Sequence, residues 1–501
     1  MKNISYWFHK RAQISPKRIA VTSIEKQWTY VEANERILQM TVLLKEKYQI
    51  HKGDRVAILS QNCPEYIWFL GAISRLEAIA VPLNIRLTAK ELAFQLQDSE
   101  AKLILFEEEF VHTVKEIQLE VSIESAYLPV DKELLNMKKT GMMDEFNDGA
   151  IPYIICYTSG TTGRPKGAVL TQENMFWNAV NNQLALDITS NDRTIVLLPL
   201  FHIGGIGLFA FPVFFSGGTV VIPGKFDPEV ALRVIEEQKV TIVMGVPTIL
   251  DAIRKSASFA TTDFSSVRWF YNGGAPCPKE LLDDYLASNL PIGQGFGMTE
   301  TSPTVFMISK EDYRRKPGSI GKPVLFCDIR IVDENGEDVS QGEVGELIIR
   351  GPNVMLEYWC LEEATKETIR DGWLYSGDLV RQDDEGFVYV SGRKKDMIIS
   401  GGENIYPLEI ELALKELPEI DEVALVGKPD ELWGEVPIAY IVWNKNKQLS
   451  YEALTSYCLK RLGKYKIPKQ FFELDELPKN ATGKLMKTKL LTIGDKAMEI
   501  K

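Results

Sequence analysis

At 501 residues the chain is longer than one hydrophobic core usually supports, so at least two domains are expected. Its 45% hydrophobic and 25% charged residues are an ordinary globular composition, which excludes disordered and collagen-like architectures. A formal net charge of −12 excludes a general affinity for nucleic acid, although a local nest of N–H donors and one or two lysines can still hold an anion.

The first residues, Met1–Arg18, mix basic residues with aromatics and lack an apolar signal core, and the last, Met498–Lys501, carry no prenylation or peroxisomal signal. Six cysteines (Cys63, Cys156, Cys277, Cys327, Cys360, Cys458) are widely spaced with no CxxC pair, and the four histidines form no metal motif. A reduced, cytoplasmic protein is the expectation.

In chain order, short apolar runs recur at Arg55–Ser60, Ala78–Pro82, Leu103–Phe106, Thr194–Leu198, Thr219–Ile222, Thr241–Val246 and Val267–Asn272. Segments with helical periodicity, such as Asp227–Gln238 and Pro278–Leu286, lie between them, and this alternation predicts an α/β fold with mainly parallel sheets. Ile195–Ile222 is apolar enough for a membrane span, but it holds Pro199, His202, Pro212 and five glycines; a buried strand–loop–helix is predicted instead.

After about residue 323, Asp328–Val332, Val344–Arg350 and Gly386–Val390 read as hairpin strands, with turns at Glu334–Gly336 and Asp384–Gly386. Beyond the charged turn Arg393–Asp396 an α+β pattern resumes, with helices near Pro407–Glu416 and Tyr451–Leu462 and strands at Val423–Gly427 and Ile438–Trp443. The expected division is therefore a large domain, 1–392, of αβ-layered sheets with a small β subdomain, and a mobile α+β lid domain, 393–501.

The apolar run Ile151–Cys156 leads into Tyr157-Thr-Ser-Gly-Thr-Thr-Gly-Arg-Pro-Lys-Gly167. Glycines let backbone N–H groups approach an anion, hydroxyls donate further hydrogen bonds, and a lysine supplies charge, so the segment suits a phosphate cradle. Pro165 precedes Lys166 and Gly167 follows it, which is not the Gly-Lys-Ser/Thr order of a Walker A loop.

Five further segments follow: Tyr271-Asn-Gly-Gly-Ala-Pro276, Gln294-Gly-Phe-Gly-Met-Thr-Glu300, Tyr375-Ser-Gly-Asp378, Gly392–Asn404 and Asn480-Ala-Thr-Gly-Lys484. In this order they resemble, over essentially the whole chain, the adenylate-forming superfamily of acyl-CoA synthetases, luciferases and peptide-synthetase adenylation domains.

The resemblance implies ATP, Mg2+ and CoA as cofactor and substrates. Thr158, Ser159, Gly160, Thr161, Thr162, Gly163 and Lys166 would cradle phosphate. Gly273, Gly274 and Ala275 would pack on adenine, with Gln294, Gly295, Phe296, Gly297 and Met298 completing the wall. Thr299 would meet a phosphate oxygen and Glu300 the metal; Asp378 and Arg393 would hold the ribose.

Lys484 is implied to be essential for adenylation, with Thr158, Glu300 and His202 in the same catalytic set. His202 would lie near the reacting carboxylate, which at neutral pH needs no base. Lys395 matches the position about which the C-terminal domain turns between half-reactions, and Gly401 and Gly402 would then line a pantetheine tunnel.

The segments implied to line the acyl pocket, Phe201–Ile206, Gly245–Pro247, Tyr271–Gly273 and Gly297–Pro303, contain no Lys or Arg for a second carboxylate and no Asp for an amino group. A hydrophobic monocarboxylic acid is expected. The overall pattern resembles bacterial fatty-acyl-CoA synthetases most, which makes a medium- or long-chain fatty acid the first expectation. Aryl-acid and o-succinylbenzoate CoA ligases, an acyl-AMP ligase serving a carrier protein, a luciferase-like oxygenase and a non-catalytic relative are the alternatives. No transmembrane span is expected, and the reading leaves room for a homodimer and weak membrane association.

Overall fold

Residues 3–135, 149–158, 164–400, 403–445, 447–479, 485–493 and 497–500 are described by the computed structural model. Contacts between Cα atoms gather them into two compact units, Met1–Ile329 with Ile349–Leu374, and Arg330–Ile348 with Tyr375–Lys501.

In the first unit, the runs read as strands pair into two sheets. Among the described residues one sheet has seven strands, in the order Glu357–Tyr358, Lys166–Thr171, Pro152–Thr158, Ile79–Pro82, Arg55–Leu59, Leu103–Phe106, Glu124–Tyr127. Its strands from Pro152–Thr158 onward run parallel, and the first two join antiparallel. Leu59, Val81, Leu92, Ile104, Ile155 and Val169 share one core on this sheet.

The other sheet has nine strands among the described residues, Ile242–Gly245, Trp269–Asn272 and Ile292–Gly297 running parallel side by side near its middle. The helix Pro228–Glu237 covers this sheet because Asp227 caps it by accepting from the Val230 N–H, Pro228 opens it, and Ala231, Leu232 and Ile235 recur at helical spacing on one buried face. Ile195–Ile222 folds as predicted, into a strand followed by short helices, and no described helix is long and apolar enough to cross a membrane.

In the second unit, the Tyr375–Gln382 part of the strand Trp373–Gln382 pairs antiparallel with Val388–Arg393, and Asp378 faces Arg393. The expected boundary after residue 392 falls inside this unit and inside a strand, because the ladder continues through Gly392 to Arg393. Further on, Ile420–Asp430 and Gly434–Trp443 make a long hairpin paired from Ile420↔Trp443 to Asp430↔Gly434. Alternate residues serve two cores: Leu425, Ala439 and Ile441 on one face, Ala424, Val426, Ile438 and Tyr440 on the other. Both faces are buried, which is why the sequence reads there as an unbroken apolar run.

Candidate active site

The segment expected to cradle phosphate leaves the hairpin of Pro152–Thr158 and Lys166–Thr171, whose register pairs Tyr157 with Gly167 and Thr158 with Lys166. Thr158 Oγ1 donates to the Lys166 carbonyl at 3.4 Å. Tyr157 Oη donates to Asp98 Oδ2 at 2.6 Å, a short charge-assisted bond that anchors the first strand. Burial, then the neighbouring Asp98 carboxylate, raise the Tyr157 phenol far above its ordinary pKa, so it stays a donor. The second strand ends in Thr171, whose hydroxyl caps the helix Gln172–Leu186 by accepting from the Asn174 N–H at 3.0 Å. Ser159, Gly160, Thr161, Thr162 and Gly163 lie outside the described residues.

Glu300 sits in the single turn Thr299–Thr301, directly after the strand Ile292–Gly297. Its residue is 7% exposed, and its Oε1 accepts from Tyr358 Oη at 2.8 Å. Tyr358 was not singled out in the sequence. Lys166 Nζ lies over the Tyr358 ring, 5.0 Å from its centre, so the hairpin lysine and Glu300 share this tyrosine. Among the described residues no three His, Cys, Asp or Glu side chains gather as a metal cage. One buried carboxylate is nevertheless the donor set Mg2+ uses when nucleotide phosphates and water supply its other ligands.

Gly273, Gly274 and Ala275 leave the end of the strand Trp269–Asn272 with Gly274 at φ +80°, a conformation glycine adopts without strain. Asn272 is fully buried; its Nδ2 donates to the Ala275 carbonyl at 2.9 Å, while its Oδ1 has no partner among the described residues. Gln294 turns its side chain into the protein, accepting from the Cys277 N–H at 3.4 Å and donating to the Ser319 carbonyl at 2.9 Å. Gly295, Gly297, Met298 and Thr299 are partly exposed, as is Phe296, which packs edge-on against Phe306. A Cβ on Gly297 would fall 1.7 Å from the Pro303 carbonyl oxygen, so this position accepts no side chain without moving backbone.

His202 opens the short helix Ile203–Gly205, partly exposed, with its ring 4.9 Å from that of Phe201. Cys156, near the end of the apolar strand Pro152–Thr158, is buried, and burial pushes its thiol pKa up to about 12.

In the second unit Arg393 Nε meets Asp378 Oδ1 at 2.8 Å, with the Asp378 side chain 4% exposed. Lys394, another residue the sequence reading passed over, pairs with the buried Glu346 at 2.8 Å, and Glu346 also accepts from the Gly377 N–H. Lys395 is exposed. Gly401, Gly402 and Lys484 lie outside the described residues. The structure thus brings Lys166 and Glu300 together in one unit and Asp378 and Arg393 in the other.

Comparison with known proteins matches the family described as AMP-binding enzyme over residues 8–359, and the AMP-binding enzyme C-terminal domain over residues 409–484. The chain is 39% identical to a feruloyl-CoA synthase of Amycolatopsis sp over 494 residues, covering 97% of this chain and 98% of the other. It is 40% identical to a 2-succinylbenzoate–CoA ligase of Bacillus velezensis over 489 residues, 97% of each chain. O-succinylbenzoate coenzyme A synthetase from Bacillus subtilis, solved with ATP and magnesium ion, superposes with a TM-score of 0.89 at 36% identity, over 98% of this chain and 99% of that one.

Proposed function

Because the chain belongs to the AMP-binding enzyme family, and within it to the AMP-forming acid–thiol ligases that use ATP, Mg2+ and CoA, we propose that its acid is an aryl or arylalkyl monocarboxylate. One observation carries this reading beyond the names of the relatives. The segments assigned to the acyl side, Phe201–Ile206, Gly245–Pro247, Tyr271–Gly273 and Gly297–Pro303, offer no Lys or Arg. A second carboxylate buried there would be desolvated with no lysine or arginine to pair with, at a cost of several kcal/mol. An acid of the feruloyl kind, with one carboxylate, therefore suits the site better than succinylbenzoate, which has two. The medium- or long-chain fatty acid expected from the overall pattern gives way, since the feruloyl-CoA synthase and the 2-succinylbenzoate–CoA ligase are named for aromatic acids.

The chemistry has two balanced steps. A carboxylate oxygen bonds to the α-phosphorus of ATP as the bond to the β-phosphate oxygen breaks, giving acyl-adenylate and pyrophosphate. The CoA sulfur then bonds to the acyl carbon; AMP leaves with the bonding pair, and the thiol proton passes to water. In the first step two anions meet, so cations and donors positioned beforehand lower the barrier most. We assign Thr158 and Lys166 to the phosphates, Glu300 to magnesium, Gly273–Ala275 to the adenine, Asp378 and Arg393 to the ribose, and His202 to the side of the reacting carboxylate. By family resemblance Lys484 is assigned to the α-phosphate, Lys395 to the turning point between half-reactions, and Gly401 and Gly402 to the pantetheine path.

Ferulate, cinnamate, benzoate, 2-succinylbenzoate and octanoate, each incubated with ATP, Mg2+ and CoA while pyrophosphate and thioester are followed, test the reading. The aromatic monocarboxylates should exceed octanoate and 2-succinylbenzoate in kcat/KM by about ten-fold or more. A lead for octanoate or for the dicarboxylate overturns it. Acyl-adenylate that CoA never accepts would instead favour the carrier-protein alternative.

A further inference from the structure

The short segment Met355–Trp359 crosses between the phosphate hairpin and the Glu300 turn. Toward the hairpin, the Leu356 N–H donates to the Val169 carbonyl at 2.9 Å and the Trp359 N–H to the Gly167 carbonyl at 2.7 Å. Toward the turn, the Met355 N–H donates to the Glu300 carbonyl at 2.8 Å. Strand pairing of Tyr358 with Ala168 fixes which way its side chain faces. From there Tyr358 reaches a functional side chain on each side: its hydroxyl donates to Glu300 Oε1 at 2.8 Å, and Lys166 Nζ lies 5.0 Å from its ring centre.

We propose that Tyr358 is a positioning residue for adenylation, its hydroxyl orienting the Glu300 carboxylate for nucleotide-bound magnesium and its ring holding the Lys166 ammonium at the exit of the phosphate loop. The proposal rests on the assignment of Glu300 made above. A carboxylate turns about its own side-chain bonds unless a donor fixes it, and an O–H donor to an ionised oxygen makes one of the stronger hydrogen bonds available. Outer partners of this kind are typically worth about 10- to 100-fold in metal affinity. The ring face, negative in its quadrupole, attracts an ammonium and keeps it near the place where phosphate charge arrives.

Tyr358→Phe removes the donor while keeping the ring, the burial and the strand pairing. Calorimetric binding of a non-hydrolysable ATP analogue, with and without Mg2+, is the primary readout. The variant should bind the analogue without Mg2+ as the parent does, and should lose about ten-fold of the enhancement that Mg2+ brings. The Mg2+ concentration for half-maximal pyrophosphate exchange should rise by a similar factor, while thioester formation from supplied acyl-adenylate stays at the parent rate. In a Glu300→Gln background the same change should add nothing, because the tyrosine acts through the carboxylate.

If Glu300→Gln itself leaves the Mg2+ enhancement intact, the assignment of Glu300 fails and the inference falls with it. If Glu300→Gln removes the enhancement and Tyr358→Phe does not, only the role of Tyr358 is overturned. A lowered melting temperature with equal losses in both half-reactions would mark Tyr358 as a structural residue, which also overturns the proposal.

Discussion

Asp378 accepts from Arg393 Nε at 2.8 Å across one rung of a strand pair, which leaves it a nearly buried carboxylate at a fixed position. Vicinal ribose hydroxyls are natural donors to such a group, and hydrogen bonds to charged groups contribute about 1.5–3 kcal/mol each. Asp378→Ala should therefore raise KM for ATP by about 10- to 100-fold and leave KM for the acid near the parent value. Initial rates with each substrate varied in turn decide this; a rise confined to the acid would remove the ribose assignment.

Asp378 and Glu300 were legible in the sequence because their neighbours form short contiguous motifs. Tyr358 was not, since it meets Glu300 across 58 residues and no local pattern encodes that contact. Gln294 was legible as part of a motif, but its side chain turns to Cys277 and Ser319, a direction set by loops far along the chain.

Elements were read closely where burial is continuous. The predicted run Leu103–Phe106, buried throughout, is a strand with those limits, and Val267–Asn272 shortens to the fully buried Trp269–Asn272. The hairpin strands expected at Val423–Gly427 and Ile438–Trp443 extend to Ile420–Asp430 and Gly434–Trp443, because their polar ends are paired by backbone, which composition does not reveal.

Illegible, too, was the tie at the start of the strand Arg193–Val196, where Asp192, 4% exposed in its side chain, joins three strand ends. Its carboxylate accepts from Arg268 Nε at 2.6 Å, from Thr241 Oγ1 at 2.7 Å and from the Thr189 N–H at 2.7 Å. Burial alone would raise its pKa; Arg268 and these hydrogen bonds outweigh burial and hold it below the ordinary 3.8. A depressed folded-state pKa gives stability that is fully present above the unfolded value and lost as pH falls through the folded one. Asp192→Asn should thus cost about 3 kcal/mol at pH 7, through the unpaired Arg268. Urea melts should show the gap narrowing below pH 3.8, where the parent carboxyl takes up its proton. A gap that stays constant with pH would assign the loss to packing.

At the scale of the whole molecule, the sequence announced more than one domain and an α/β layout with a smaller C-terminal part, and the chain has both. The expected limit at residue 392 rests on a motif edge, and the strand ladder there runs on to Arg393. Two substitutions probe the division of labour assigned to this part. Lys484→Ala should lower pyrophosphate exchange by about 100-fold or more, while thioester formation from supplied acyl-adenylate stays within about two-fold of the parent. Lys395→Pro, by fixing φ and removing an N–H, should do the reverse. Equal losses in both half-reactions, for either variant, would show that one arrangement of the chain serves both steps.

The strand Lys166–Thr171 is held at both ends, by Trp359 on the Gly167 carbonyl at one and by the Thr171 cap on its helix at the other. Its length is thereby as much a part of the site as its composition. Adding a single residue between these two fastenings would reverse the facing of every side chain beyond it, lifting Val169 out of the core it shares with Ile155, or else pull the cap out of phase with its helix. The stretch can change its letters far more readily than its count.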